Sequence, residues 1–175
     1  MNKKYPKSKR AIIETFLKIR KKKELEKITV TELCKLADIN KSTFYVYYHD
    51  TLDLSEQLET QLVQSILTDI PHPEDILNKP AQFTKNLFNA YTHKEKEIHI
   101  LFSGNRQLLL PDKFAKEIKH FLFELQPHLK EDPITNIQLS FAIYGSFYGY
   151  LDNLQCDRET LVSTISTLVK KEIKQ

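Results

Sequence analysis

Glycine is scarce in this chain, three residues in 175. Folds built from strands and tight turns need more of it, so the shortage leans toward helices. Valine is also sparse, whereas leucine, lysine, glutamate and isoleucine are abundant, which favours helix again. No stretch reaches the roughly 18 apolar residues that a membrane span requires. The basic start, Met1 to Lys7, leads into no apolar signal core, and Arg20 to Lys23 interrupts the first apolar pattern with charge. No secretory signal and a cytoplasmic location are therefore expected. Cys34 and Cys156 stand far apart and match no metal-binding spacing, so two reduced, buried thiols are expected. None of the six histidines forms a His-x-x-x-His pair, and no metal site is expected. There is no glycine-rich phosphate loop, nucleophile elbow or legible catalytic triad. Neither enzymatic activity nor a cofactor is expected.

What is present is an uneven charge. The net formal charge is +3, but residues 1–50 carry 13 Lys and Arg against 6 Asp and Glu, while the remainder is mildly acidic. A basic head on an acidic body suggests that the head meets a polyanion. Seven prolines punctuate the chain and divide it into helical pieces. The first runs from about Lys7 to Lys23 with Ile12, Ile13, Phe16, Leu17 and Ile19 on one stripe. Thr29 followed by Glu32 is a capping box that opens a second, two-turn helix. Asn40 is an N-cap for a third short helix. From Thr51 to Ile70, the row Leu54, Leu58, Leu62, Ile66 and Ile70 predicts a long amphipathic helix. Further helices are expected near 80–92, 94–102, from Pro111, from Asp132-Pro133, and over 158–173. The fold class is all-α.

The informative segment is Ile28 to Asp50. It reads as two short helices joined by a tight turn behind a basic amphipathic helix, a helix-turn-helix whose second helix suits the DNA major groove. Thr29, Thr31, Ser42, Thr43, Tyr45 and Tyr47 carry hydroxyls suited to phosphate oxygens. Lys41 and Ser42 stand where side chains reach base edges.

The run from Ile28 to Tyr48, ITVTELCKLADINKSTFYVYY, resembles the TetR-family DNA-binding signature, with Thr29, Val30, Leu33, Ala37, Thr43, Phe44, Tyr45, Tyr47 and Tyr48 in register. The similarity covers about residues 10–60. It implies an N-terminal three-helix DNA-binding domain, 1–50, and a C-terminal helical regulatory and dimerisation domain, 51–175, with 51–70 as the connecting helix. It also implies phosphate or base contacts from Thr29, Thr31, Lys41, Ser42, Thr43, Tyr45 and Tyr47, with Phe44 and Tyr48 packed inward. The sequence departs from the signature at three places. Asp38 replaces the turn glycine, Arg20 replaces an aromatic near the end of the first helix (with Glu24 at the glycine that follows), and Thr51 replaces a lysine that follows the recognition helix.

In the body, the resemblance implies that the last two helices pair with their copies in a homodimer through Phe141, Gly145, Tyr148, Gly149, Leu161, Ile165 and Leu168. The two glycines would permit close helix approach. A pocket for a small-molecule effector is expected among Phe83, Leu87, Phe88, Tyr91, Phe102, Phe121 and Tyr144. The resulting expectation is a ligand-responsive, homodimeric repressor on a palindromic double-stranded operator. Two alternatives stay open: a coactivator acting mainly through protein partners, favoured by Thr51, and a small-molecule carrier with a vestigial head.

Overall fold

The computed structural model describes residues 6–173. The basic start from Met1 to Tyr5, part of the segment in which no signal core is expected, lies outside them. Among the described residues the chain is all-helical, with no strand, and no helix is long and apolar enough to cross a membrane. The helices are α1 (Lys7–Arg20), α2 (Val30–Leu36), α3 (Lys41–Tyr45), α4 (Thr51–Thr68), α5 (Pro80–His93), α6 (Glu95–Leu101), α7 (Leu110–Leu125), α8 (Pro133–Leu151) and α9 (Arg158–Glu172). Short 3₁₀ turns lie at Leu25–Lys27, Pro73–Ile76, Gly104–Leu109 and Pro127–Glu131.

The chain forms two compact units. The first holds residues up to Leu62 together with Lys96–Gln107; the second holds Val63–Glu95 and Leu108 onward. The division therefore falls within α4, and a later segment joins the N-terminal residues.

In the first unit, α1, α2 and α3 pack on one another. Ile12 and Phe16 of α1, Leu33 of α2 and Phe44 of α3 are fully buried, as the apolar spacing requires. Helix α1 stops at Arg20 rather than Lys23. The amides of Lys22 and Lys23 both turn back to the Ile19 carbonyl, at 2.9 and 3.0 Å. The Arg20 guanidinium then donates to the Lys23 carbonyl at 2.9 Å and to the Ser103 carbonyl at 2.9 Å. Burial pulls the Arg20 pKa down, partly offset by the charges of Glu26 and Glu59.

A second buried cation ties the later segment to α4. Arg106 donates through Nε and Nη2 to the two carboxylate oxygens of Glu59, at 2.9 and 2.6 Å, and Ser55 Oγ adds a bond to Glu59 at 2.8 Å. Burial alone would lower the Arg106 pKa, but the hydrogen bonds and charge of Glu59, with Glu56 nearby, more than reverse this and raise it. Glu59 is wholly buried, and the fork meets both of its carboxylate oxygens.

In the second unit, α5 packs on α9, and α8 on both α7 and α9. Aromatic rings fill the centre: Phe88 stacks on Tyr150 and Phe114 lies against Phe147, each at 4.7 Å between centroids. Tyr91 touches Phe114, Phe147 and Tyr150, and burial pushes its pKa up to about 12. Asp132 caps α8 by accepting from the amides of Ile134 and Thr135, and Asp157 caps α9 by accepting from Thr160. One of the two thiols departs from expectation: Cys34 is buried, but Cys156 is exposed in the α8–α9 connection, beyond the apolar faces of both helices.

Replacing Glu59 by Ala strands the Arg106 charge. Unfolding free energy from urea titration should fall by about 3–5 kcal/mol. A loss below about 1 kcal/mol would mean that water or another group already serves Arg106.

Candidate nucleic-acid interface

Helix α3 is only five residues long and cannot persist alone, because helix nucleation is unfavourable over so few hydrogen bonds. Two devices hold it. Asn40 has extended backbone geometry, and its Oδ1 accepts from the Thr43 amide at 2.9 Å. Phe44 is 0% exposed and Tyr48 is buried, which fixes the rotation of the helix about its axis. Phe44 lies edge-on to Tyr45 at 5.6 Å and tilted to Tyr48 at 5.7 Å.

With Phe44 inward, Lys41, Ser42 and Tyr45 face outward, Tyr45 at 56% exposure, and Thr43 is half-buried. The turn before α3 uses Asp38 at φ 53°, a left-handed conformation that Asp tolerates better than most residues. Helix α2 is capped by Thr29, whose Oγ1 accepts from the Glu32 amide at 3.2 Å. Only this half of the capping box forms. The Glu32 carboxylate accepts from Lys23 Nζ at 2.7 Å rather than turning back to Thr29, because the lysine-rich turn after α1 offers it a full charge. Thr31 is exposed beside it.

Several expected contact residues are engaged inside the chain. The hydroxyls of Ser42 and Thr43 donate to Asn40 Oδ1, at 2.8 and 2.6 Å. Each would have to leave the cap to donate to a phosphate oxygen. The Tyr47 hydroxyl shares a hydrogen bond with Ser8 Oγ at 3.1 Å, and Lys9 Nζ sits 5.7 and 5.4 Å from the ring centroids of Tyr47 and Tyr48. These contacts bring the start of α1 against the end of α3. Ser8 and Lys9 were not singled out from the sequence, since nothing in α1 marks which of its polar residues meets a tyrosine more than thirty positions later. Thr51 donates to the Ile28 carbonyl at 3.3 Å, a structural task for the residue where the resemblance expects lysine. The thiol of Cys34 is pushed up by burial, with Lys41 opposing, and donates toward the Asn40 carbonyl at 3.9 Å.

The expected effector residues are spread over both units. Phe102 is buried in the first unit, whereas the other six belong to the second. Phe83, Leu87 and Phe88 close on a void of about 40 Å³, and Tyr91 is enclosed by aromatic rings. Tyr144 is half-buried on α8, where its hydroxyl donates to Asp112 at 2.9 Å. Phe83 and Phe121 line a larger cleft of about 520 Å³.

The expected dimer residues also divide. Phe141, Gly145, Tyr148 and Leu168 are exposed and Gly149 is half-exposed, but Leu161 and Ile165 face the core of their own unit. They lie on the side of α9 that packs on α5 and α8. Ile134 and Ile137 were missed; with Phe141, Gly145 and Tyr148 they continue one exposed heptad-spaced row along α8. A Cβ at either glycine would meet nothing within 4 Å, so the close approach they permit is unused among the described residues.

Among the described residues no group of His, Cys, Asp or Glu side chains is disposed to hold a metal ion. No protein-family model, curated protein or solved structure matches the chain.

Phe44 and Tyr45 are neighbours with opposite tasks. Phe44→Ala should cost about 3–5 kcal/mol of stability. Tyr45→Ala should stay within about 0.5 kcal/mol of the parent in the same urea titration. Equal losses would mean that α3 is rotated from this arrangement.

Proposed function

We propose that the chain is a sequence-specific DNA-binding transcriptional regulator of the helix-turn-helix type that residues 28–48 resemble, a ligand-responsive repressor working as a homodimer. One observation carries this: α3 is pinned from behind by Phe44 and keeps Lys41, Ser42 and Tyr45 outward, in the part of the chain that concentrates the positive charge. A helix so held fits the major groove, where lysine meets guanine acceptors and an apolar or aromatic edge meets the thymine methyl. Thr29 and Thr31 at the start of α2 reach phosphates beside the groove, and Tyr47, steadied by Ser8, does the same from the end of α3.

The exposed α8 row supports the homodimer. Ile134, Ile137, Phe141 and Tyr148 place large apolar groups in water at regular spacing, with Phe141 64% exposed. A two-fold partner covering this row with its own copy removes that cost. Two recognition helices would then engage successive major grooves about 34 Å apart on a palindromic operator. An effector bound in the body would shift the population between DNA-competent and incompetent forms.

One feature favours the protein-binding alternative. Leu36 and Val46 on the head are exposed, Val46 at 75%, and are better suited to an apolar partner than to phosphates. A gel shift against the region upstream of the chain's own gene separates the readings. Binding should weaken steeply as salt rises. Lys41→Ala should lose about 1–3 kcal/mol on the preferred sequence and little on unrelated duplex. Equal loss on every sequence would make Lys41 a phosphate contact, and salt-independent or absent binding would favour the protein partner. For the dimer, Phe141→Asp should convert the sedimenting species to monomer without lowering helicity; an unchanged dimer would place the interface elsewhere.

A further inference from the structure

A cleft of about 420 Å³ lies between α5 and α9 in the second unit, lined by Lys85, Asn89, Arg158, Glu159, Val162 and Ser163. The two helices run antiparallel. Arg158, at the start of α9, meets Phe88 and Asn89 near the end of α5, whereas Val169 and Ile173 share a void with Pro80. Lys85 and Asn89 fall four residues apart on one face of α5, and Glu159 and Ser163 do the same on α9. The α5 wall donates. Arg158 Nη2 crosses to it and donates to the Phe88 carbonyl at 3.4 Å and to Asn89 Oδ1 at 3.2 Å, which holds the guanidinium there and leaves Asn89 Nδ2 as a donor. The α9 wall accepts. Glu159 supplies a carboxylate, and Ser163 Oγ, which donates to the Thr160 carbonyl at 3.1 Å, keeps lone pairs for a further donor. Among the described residues neither the Lys85 ammonium nor the Glu159 carboxylate has a hydrogen-bond or ion-pair partner. The helix terminus itself plays no part, because Asp157 Oδ1 already accepts from the Thr160 amide at 2.9 Å.

We propose that this cleft binds a small zwitterion, a free α-amino acid with a short side chain. Its carboxylate would lie between Lys85 and Arg158, toward Asn89 Nδ2, and its ammonium between Glu159 and Ser163 Oγ. A plain anion satisfies the two cations but is opposed by Glu159, and a plain cation has the reverse fault. A molecule that carries both charges meets all three groups. Val162 supplies the apolar part of the lining, so a long hydrophobic side chain gains little. The cleft stays open in the homodimer proposed above. Glu159 and Leu168, nine residues apart, lie half a turn from each other around α9, so the flank that Leu168 brings to a partner is the opposite one. The proposal does not rest on the DNA reading.

The test titrates the full isotope-labelled chain, without DNA, and follows its amide resonances. The probes share one short carbon skeleton: L-2-aminobutyrate, butyrate and propylammonium. Aminobutyrate should shift the amides of Lys85, Asn89 and Ser163 saturably and bind about threefold tighter than butyrate, the size of one exposed charge pair. Propylammonium should leave those amides unmoved. E159Q should bring the aminobutyrate affinity down to that of butyrate, and K85M should weaken both by about threefold. Neither side chain has a partner in the fold, so circular dichroism should stay unchanged in both variants. Butyrate or propylammonium binding as tightly as aminobutyrate, no saturable shift at the three residues, or an aminobutyrate affinity untouched by E159Q would overturn the proposal. Because no DNA is present, failure here leaves the DNA reading standing, and failure of the DNA reading leaves this result standing.

Discussion

The burial of Phe44 is the constraint on which the head of this protein depends. A five-residue helix has too few internal hydrogen bonds to hold its own orientation. Its apolar anchor sets the rotation, and every statement about which side chains point outward follows from that. The Asn40 cap adds a second fixed point at the other end of the turn. It also engages the hydroxyls of Ser42 and Thr43, leaving Lys41 and Tyr45 as the long exposed groups of the helix.

Behind this small surface lies an unusual amount of buried charge. Arg20 closes the end of α1 by bonding backbone carbonyls, and Arg106 reaches across 47 positions to Glu59. Each guanidinium does work that an aromatic or aliphatic residue could do only by packing. The cost is desolvation, which planar, multiply bonded arginines bear better than lysines. The gain is directional: segment 96–107 is held to the N-terminal residues by defined hydrogen bonds rather than by apolar contact alone.

Local features were legible in the sequence because each involves residues within one turn. The Thr29 and Asn40 caps and the one-turn spacing within the α4 row belong to this class. Features set by distant partners were not. Nothing local marks Glu59 as buried rather than solvated, or sends Glu32 to Lys23 instead of back to Thr29. Helix α9 shows the same limit: periodicity finds Leu161, Ile165 and Leu168, but only packing decides that the first two face the core and the third faces water. Most of the residues expected at an effector pocket are buried, and two of them, Phe83 and Phe121, line the open cleft beside α7.

The outward face of α3 can be examined at the level of single bases. A duplex enriched by the chain from a random-sequence pool would be treated with dimethyl sulfate, which methylates guanine N7 in the major groove. Groove entry by α3 requires two protected guanine patches about one helical turn apart, with protection within each patch lost in Lys41→Ala. Failure to enrich any sequence, or enrichment with every guanine N7 still reactive, would contradict it.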